Sequence, residues 1–234
     1  IFDIVSDIYL NSTFPEAEMQ KEKGVIIEEI NMYEDMPNRH VQDLMMTLLY
    51  GDQPAGWNIA GSKENVFKMK RDDFISYKAQ HYLPEATVII VAGTVTEKKV
   101  MKEVQRVFGQ IRRGSKTDKL KVKENQKKPQ TLIKFKKTDQ THFILGVRSC
   151  NILSKKNATL SVLGGVLGGG MSSRLFQKLR EEMGVGYYVR AYNDAYTDHG
   201  FLQISAGVDN KRIYEVIQAV LEECRKLKTK KISK

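Results

Sequence analysis

Two apolar runs rich in aromatic and β-branched residues, Val185 to Tyr196 and Phe201 to Val208, are separated by Thr197-Asp198-His199-Gly200. Runs of that kind bounded by turn residues read as strands, and so short a connection makes them an antiparallel pair. Before them lies SSRLFQKLREEM, Ser172 to Met183, a helical pattern opened by a serine cap. After them Arg212 to Leu227 repeats apolar residues at helical spacing. Strands flanked by helices in this way bury their apolar face only by layering helix on sheet.

The remaining chain is read in the same terms. Helices are predicted over residues 1–11, from Pro15 to Asp35, over Asn38 to Tyr50, Lys70 to Tyr82, Lys98 to Phe108 and Leu153 to Leu167. Ser62 is placed to cap a short helical turn. Further strands are predicted at Ala86 to Ala92 (ATVIIVA), Thr131 to Phe135 and His142 to Val147. Gly51 to Gly61 is loop. The order is not an alternation of strand and helix, so the expected class is α+β, with helices packed on mainly antiparallel sheets. Polar, lysine-rich residues 111–130 read as a linker between a first domain (1–110) and a second (131–234).

The net charge of +10 is unevenly spread. Residues 112–137 hold 11 Lys/Arg against 2 Asp/Glu, and Phe135 is their single aromatic. A single-strand-binding surface interleaves cations with stacking aromatics, so this run reads as solvated linker and no nucleic-acid partner is expected. No apolar run reaches membrane-spanning length, and no membrane partner is expected. The first residues, Ile1-Phe2-Asp3-Ile4, carry no initiator Met and no signal-peptide pattern, as a processed chain or an excised fragment would. Two cysteines, Cys150 and Cys224, show no metal spacing and suit a reducing compartment, so a cytoplasmic location is expected, or the mitochondrial matrix in a eukaryote.

Motif chemistry is sparse. His40, His81, His142 and His199 form none of the two-histidine zinc patterns, and as isolated residues they read as structural or exposed. Gly168-Gly169-Gly170 lacks the Lys-Ser/Thr of a phosphate loop; it reads as a helix end, or as backbone that lets a peptide approach closely. Arg180 and Tyr187 stand either side of Gly184 and Gly186. An arginine there offers donors to a carbonyl, and a tyrosine hydroxyl can donate to a developing oxyanion. Taken singly they read better as a surface Arg and a core Tyr.

Glu18 to Asp35 (EMQKEKGVIIEEINMYED) is apolar in its middle and charged at its ends. Seven helical residues turn through about 700°, about 20° short of two turns, so Glu22 and Glu29 share a face roughly 10 Å apart. Glu28 points about 100° away. Ile26 and Tyr33 flank Glu29 at helical spacing, and a carboxylate on so apolar a face needs a cation or a metal. Ordinary solvated glutamates fit the same periodicity.

Together these pieces resemble one family. EKGVIIEEINMYEDMP, HYLPEATVIIVAGTV, GGGMSSRLFQKLREEMGVGYYV and YTDHGFLQISAGV look like segments of the pitrilysin/insulinase zinc metallopeptidases, nearest the small bacterial and processing-peptidase branch. The resemblance implies parts of two similar α+β clamshell domains and an endopeptidase of peptides or unfolded segments. It implies that Glu29 matches the third zinc ligand and Glu22 a glutamate supporting the site from behind. Arg180 and Tyr187 match a pair that reaches the bound peptide, and Gly168, Gly169 and Gly170 match a glycine-rich bend beside it. The inverted H-x-x-E-H motif, with the other two ligands and the general base, does not occur in these residues. The chain as it stands is therefore expected neither to hold zinc tightly nor to cleave peptides. A homodimer or a paired family subunit fits the family's expected assembly. A non-catalytic peptide-binding subunit is the competing expectation, and a basic nucleic-acid module the weakest.

Overall fold

A computed structural model describes residues 1–230 of the chain. It resolves into two compact units, one of Ile1–Ile30 with Ala60–Leu120, the other of Asn31–Ile59 with the chain from Lys121 onward. The fold is α+β, mostly helices with a small antiparallel sheet.

The first unit is helical. It holds α1 (Phe2–Leu10), most of α2 (Glu16–Asp35), α4 (Lys63–Lys68), α5 (Arg71–His81) and α6 (Glu97–Phe108). Ser62 caps α4 as expected, accepting the Asn65 N–H at 3.1 Å. In α5 the bond runs the other way: Asp73, in the first turn, accepts the Lys70 N–H at 2.7 Å. Tyr9 of α1 packs on Tyr82 and on the edge of Phe108, with centroids 5.0 and 5.9 Å apart. Arg71 ties the α1–α2 connection to α5 by donating to the carbonyls of Thr13 and Phe14.

The strand predicted over Ala86 to Ala92 does not form among the described residues. Pro84–Ala86 is a 3₁₀ turn, and the following residues are extended without a ladder. Alternate side chains face solvent, with Val88 83% and Ile90 85% exposed. Thr131 to Phe135 behaves alike, with Ile133 and Phe135 each 88% exposed. Both segments have strand composition, but a strand is defined by its hydrogen-bonded neighbour, which no described segment supplies.

The second unit is built on the predicted hairpin. β2 (Gly186–Ala195) pairs antiparallel with β3 (Gly200–Asp209), and β1 (Gln140–Arg148) adds to the other side of β3, giving the order β1-β3-β2. The central strand is buried on both faces. Ile204, Ala206 and Val208 point with Val189 and Ala191 into a core closed by Leu167, Leu175, Leu179, Val216 and Val220. These come from α7 (Asn157–Gly168), α8 (Arg174–Phe176), its continuation Gln177–Glu182, and α9 (Ile213–Thr229). The opposite face carries Phe201, Gln203, Ser205 and Gly207. There α3 (Pro37–Tyr50) lays Met45, Leu49 and Tyr50 against Phe201 and Ile144. Gly146 admits Met45, whose sulfur would lie 3.0 Å from a Cβ at that position. Gln203, fully buried, donates to Gln42 of α3 at 2.9 Å.

Element ends shift by a few residues from their expected places. α7 starts at Asn157 rather than Leu153, and Ser173, not Ser172, takes the cap position of α8, without a side-chain cap bond. Cys150 and Cys224 are both free thiols. No helix of the described residues is long and apolar enough to cross a membrane.

Glu223 of α9 is buried beside α8. It accepts from Arg174 Nε at 2.9 Å and from Lys226 Nζ at 2.8 Å. Burial pushes its carboxyl up, but the bonds from Lys226 and Arg174 outweigh that and hold it below the ordinary carboxylate range. A depressed acid stabilises the fold above its unfolded pKa, near 4.3, and that contribution disappears as pH falls through the lower folded value. Glu223→Gln should lower stability at pH 7 by about 1 to 3 kcal/mol. The same substitution should flatten the loss of stability below about pH 4, measured by urea unfolding across that range.

Candidate functional site

The site residues read from the sequence fall into two sets. Glu22 and Glu29 lie on α2 in the first unit; Gly168 to Gly170, Arg180 and Tyr187 lie in the second. α2 buries only Met19 and Ile30, while Glu22, Glu28 and Glu29 are all exposed. The expectation that apolar neighbours desolvate Glu29 is therefore corrected: its flanks Ile26 and Tyr33 are themselves only half-buried, and burial does not separate Glu29 from Glu28. No three His, Cys, Asp or Glu side chains gather to hold a metal ion among the described residues. A zinc site needs three protein ligands, so the donors present here do not make one by themselves.

The second unit brings its five residues together through two local irregularities. The first is in the helix. After Phe176 the hydrogen bonding widens, and the Met183 N–H reaches back five residues to the Lys178 carbonyl at 3.1 Å. Such π-type turns are rare and concentrate at functional sites. Gly184, at φ +64°, then ends the segment in a left-handed conformation, and the Val185 N–H closes onto the Leu179 carbonyl at 3.0 Å.

The second irregularity is in the strand. Val208 and Gly207 are adjacent on β3 but face Gly186 and Tyr188 on β2, so Tyr187 is an extra, bulged residue. A bulge leaves one residue out of the ladder and re-aims its side chain. Tyr187 is accordingly 57% exposed instead of being the core tyrosine its run suggests. Arg180 Nη1 donates to the carbonyls of Gly186 and Tyr187, at 2.9 and 3.2 Å. The guanidinium thus clamps the bulge, with Tyr187 beside it.

β2 is an edge of the described sheet, and its residues border a groove of about 470 Å³. Gly168, Gly169, Gly170 and Met171 form one wall and Tyr187 to Tyr192 the other. α7 lies directly on the strand backbone. A Cβ on Gly168 would collide with Ala191 N and stand 2.8 Å from Arg190 C; one on Gly164 would be 2.9 Å from Tyr192 Cα. Burial pushes the hydroxyls of Tyr188 and Tyr192 up, so both remain protonated donors at neutral pH. An edge strand beside such a groove can take an extended peptide by main-chain hydrogen bonding.

Residues 68–234 match the family model described as the peptidase M16 inactive domain, and residues 1–63 match that of insulinase, peptidase family M16. The chain belongs to peptidase family M16. It is 35% identical over 226 residues to an uncharacterized zinc protease of Bacillus subtilis, covering 97% of this chain and 54% of that protein. It is 34% identical to one of Mycobacterium leprae, covering 94% and 50%. The M16 chain therefore spans about half the length of these relatives. Among solved structures, a protease from Helicobacter pylori superposes with a TM-score of 0.83 at 19% identity, covering 95% of this chain and 55% of that one. An M16 inactive domain from Pseudomonas fluorescens gives 0.82 at 18% identity, with the same coverage. At such identities these two likenesses show the fold alone.

Two features of this M16 site escaped the sequence reading. Gly164 shares the helix face of Gly168, and the i, i+4 pair in LGGVLG was the available signal for close helix–strand contact. Arg212, which donates to the Met183 carbonyl at 3.1 Å, left no signal beyond its place at a helix start.

Proposed function

We propose that this chain supplies the peptide-gripping part of a zinc-dependent endopeptidase acting on peptides or unfolded segments. The observation that carries this reading is the bulged Tyr187 beside Arg180, at one end of an open strand edge with a glycine wall. An extended peptide would bond to the β2 backbone. The Tyr187 hydroxyl would donate to a peptide carbonyl, with Arg180 holding the bulge and steadying negative charge that develops there. Gly170, with nothing within 4 Å of its Cβ position, leaves room for the peptide main chain, while Gly168 serves the contact of α7 with β2. In a longer protein carrying an H-x-x-E-H segment, Glu29 is our candidate for the third metal ligand and Glu22 for its support. We place the protein in a reducing compartment, the cytoplasm or a mitochondrial matrix, as a homodimer or paired with a related subunit.

The test is binding of a fluorescein-labelled extended peptide, followed by anisotropy. Tyr187→Phe should weaken binding about three- to tenfold, the loss of one hydrogen bond. Absence of saturable binding by the unmodified chain would refute the reading.

A second reading, a non-catalytic peptide-binding subunit, is favoured by the inactive-domain description of the model matched by residues 68–234. Zinc analysis and peptide cleavage by the longer protein, with Glu29→Gln alongside, separate the two. Zinc loss and lost cleavage in the mutant support the enzyme; a wild type that binds peptide but neither zinc nor a cleavable bond supports the subunit.

A further inference from the structure

We propose that Arg212 and Glu215 are positioning residues that hold the connection between Arg180 and Tyr187 in its peptide-binding shape, an inference that rests on the peptide-binding reading above. Met183 to Gly186 link the π-type segment to β2, and their conformation decides where the Arg180 guanidinium meets the bulge. With two glycines, one of them left-handed, this turn has little intrinsic stiffness. Three of its restraints are local: the Met183 N–H on Lys178, the Val185 N–H on Leu179 and the Arg180 guanidinium on the Gly186 carbonyl. A further one comes from a different element.

Asp209 caps the 3₁₀ turn Asn210–Arg212 by accepting the Lys211 N–H at 2.7 Å, which sets Arg212 at the start of α9. Arg212 Nη1 then donates to the Met183 carbonyl at 3.1 Å. Its other edge forks onto Glu215, Nε to Oε2 at 2.8 Å and Nη2 to Oε1 at 2.7 Å. A two-point guanidinium–carboxylate fork fixes the plane of the group as well as its position. The remaining nitrogen is thereby aimed at one carbonyl. A lysine cannot hold a carboxylate at two points and a carbonyl at a third in that plane. The bond from Arg212 also holds the Glu215 carboxyl below its usual range, so both partners are charged at neutral pH. Arg180, Tyr187, Asp209 and Arg212 line one hollow of about 390 Å³ under the turn. Arg212 touches that hollow but acts through Met183, so its effect should appear as displacement of Tyr187 and not as a lost contact of its own.

The experiment compares Arg212→Gln, Arg212→Lys and Glu215→Gln in the 234-residue chain, each also combined with Tyr187→Phe. Amide hydrogen exchange at Val185 and Gly186, urea unfolding, and affinity for the labelled extended peptide are measured. Arg212→Gln should speed exchange at Val185 and Gly186 and weaken peptide binding about three- to tenfold, the usual size of coupling between neighbouring groups. The urea midpoint should stay within error. In the Tyr187→Phe background the same substitution should weaken binding no further, because its effect passes through Tyr187. Arg212→Lys should not restore the wild-type values, and Glu215→Gln should fall between. Unchanged exchange at Val185 and Gly186, or fully additive losses in the double mutants, would overturn the proposal. A wild-type chain that binds no peptide removes the peptide-binding reading instead; the exchange rates then decide the positioning role by themselves.

Discussion

Gly168→Val should destabilise the second unit by about 3 kcal/mol or more, and Gly168→Ala by about 1 to 3 kcal/mol, the range of overpacked sites. The reason is the surface Gly168 rests on. The atoms a Cβ would strike, Ala191 N and Arg190 C, belong to strand backbone already paired with β3. Backbone in a ladder cannot swing aside as a flexible side chain can. α7 would have to lift off β2, opening the core around Leu167, Val189 and Ala191. An opposing effect exists, since glycine to alanine within a helix ordinarily gains about 0.5 to 1 kcal/mol. Gly165, three residues earlier on the same helix, shows that effect without the clash, because nothing lies within 4 Å of its Cβ position. Gly165→Ala should therefore stabilise and Gly168→Ala destabilise. Urea unfolding followed by the fluorescence of Trp57, the single tryptophan and a member of the second unit, gives both signs in one experiment. A Gly168→Ala chain as stable as wild type would mean that α7 does not sit on the strand as described.

The residues around this contact show how far the sequence carries the fold and the site. The β2–β3 hairpin was legible because its two runs are bounded by polar turn residues and have no competing periodicity. Gln203 and Ser205, buried on the central strand, were not legible as core. The burial of Gln203 depends on α3, about 160 residues earlier in the chain, arriving with Gln42 as a partner. ATVIIVA and Thr131 to Phe135 have a composition that suits a strand. Composition cannot supply the neighbouring edge, and Val88, Ile90, Ile133 and Phe135 stand exposed in its absence. The pairing of Arg180 with Tyr187 was visible as a spacing across two glycines. The π-type turn and the bulge that bring them together were not visible. Each adds one residue to a regular element, and where it is added is decided by the packing of that element against its neighbours. Arg212 is the extreme case, since only folding brings it to the Met183 carbonyl.

Leu179→Ala should lower the stability of the second unit by about 2 to 5 kcal/mol, as large-to-small changes do at sites that cannot collapse. Leu179 is fully buried in the core formed by α7, α8, α9 and the sheet. It also sits within the π-type segment, directly before Arg180, and its carbonyl accepts the Val185 N–H. A π-type turn is less favourable than α-helix and persists only when its side chains are held in place. Removing the Leu179 side chain removes that hold as well as apolar contact. Relaxation to α-helical bonding would rotate Arg180 by a fraction of the 100° that one residue spans, taking its Nη1 away from the Gly186 and Tyr187 carbonyls. Leu179→Ala should therefore weaken peptide binding under conditions where the chain is still folded. Leu179→Met, which nearly conserves volume, should cost less than about 1.5 kcal/mol and keep the affinity. The decisive comparison is peptide affinity well below the urea midpoint of each variant. If Leu179→Ala loses stability but binds peptide as wild type does, the π-type turn is packing geometry and the bulge carries Tyr187 without it.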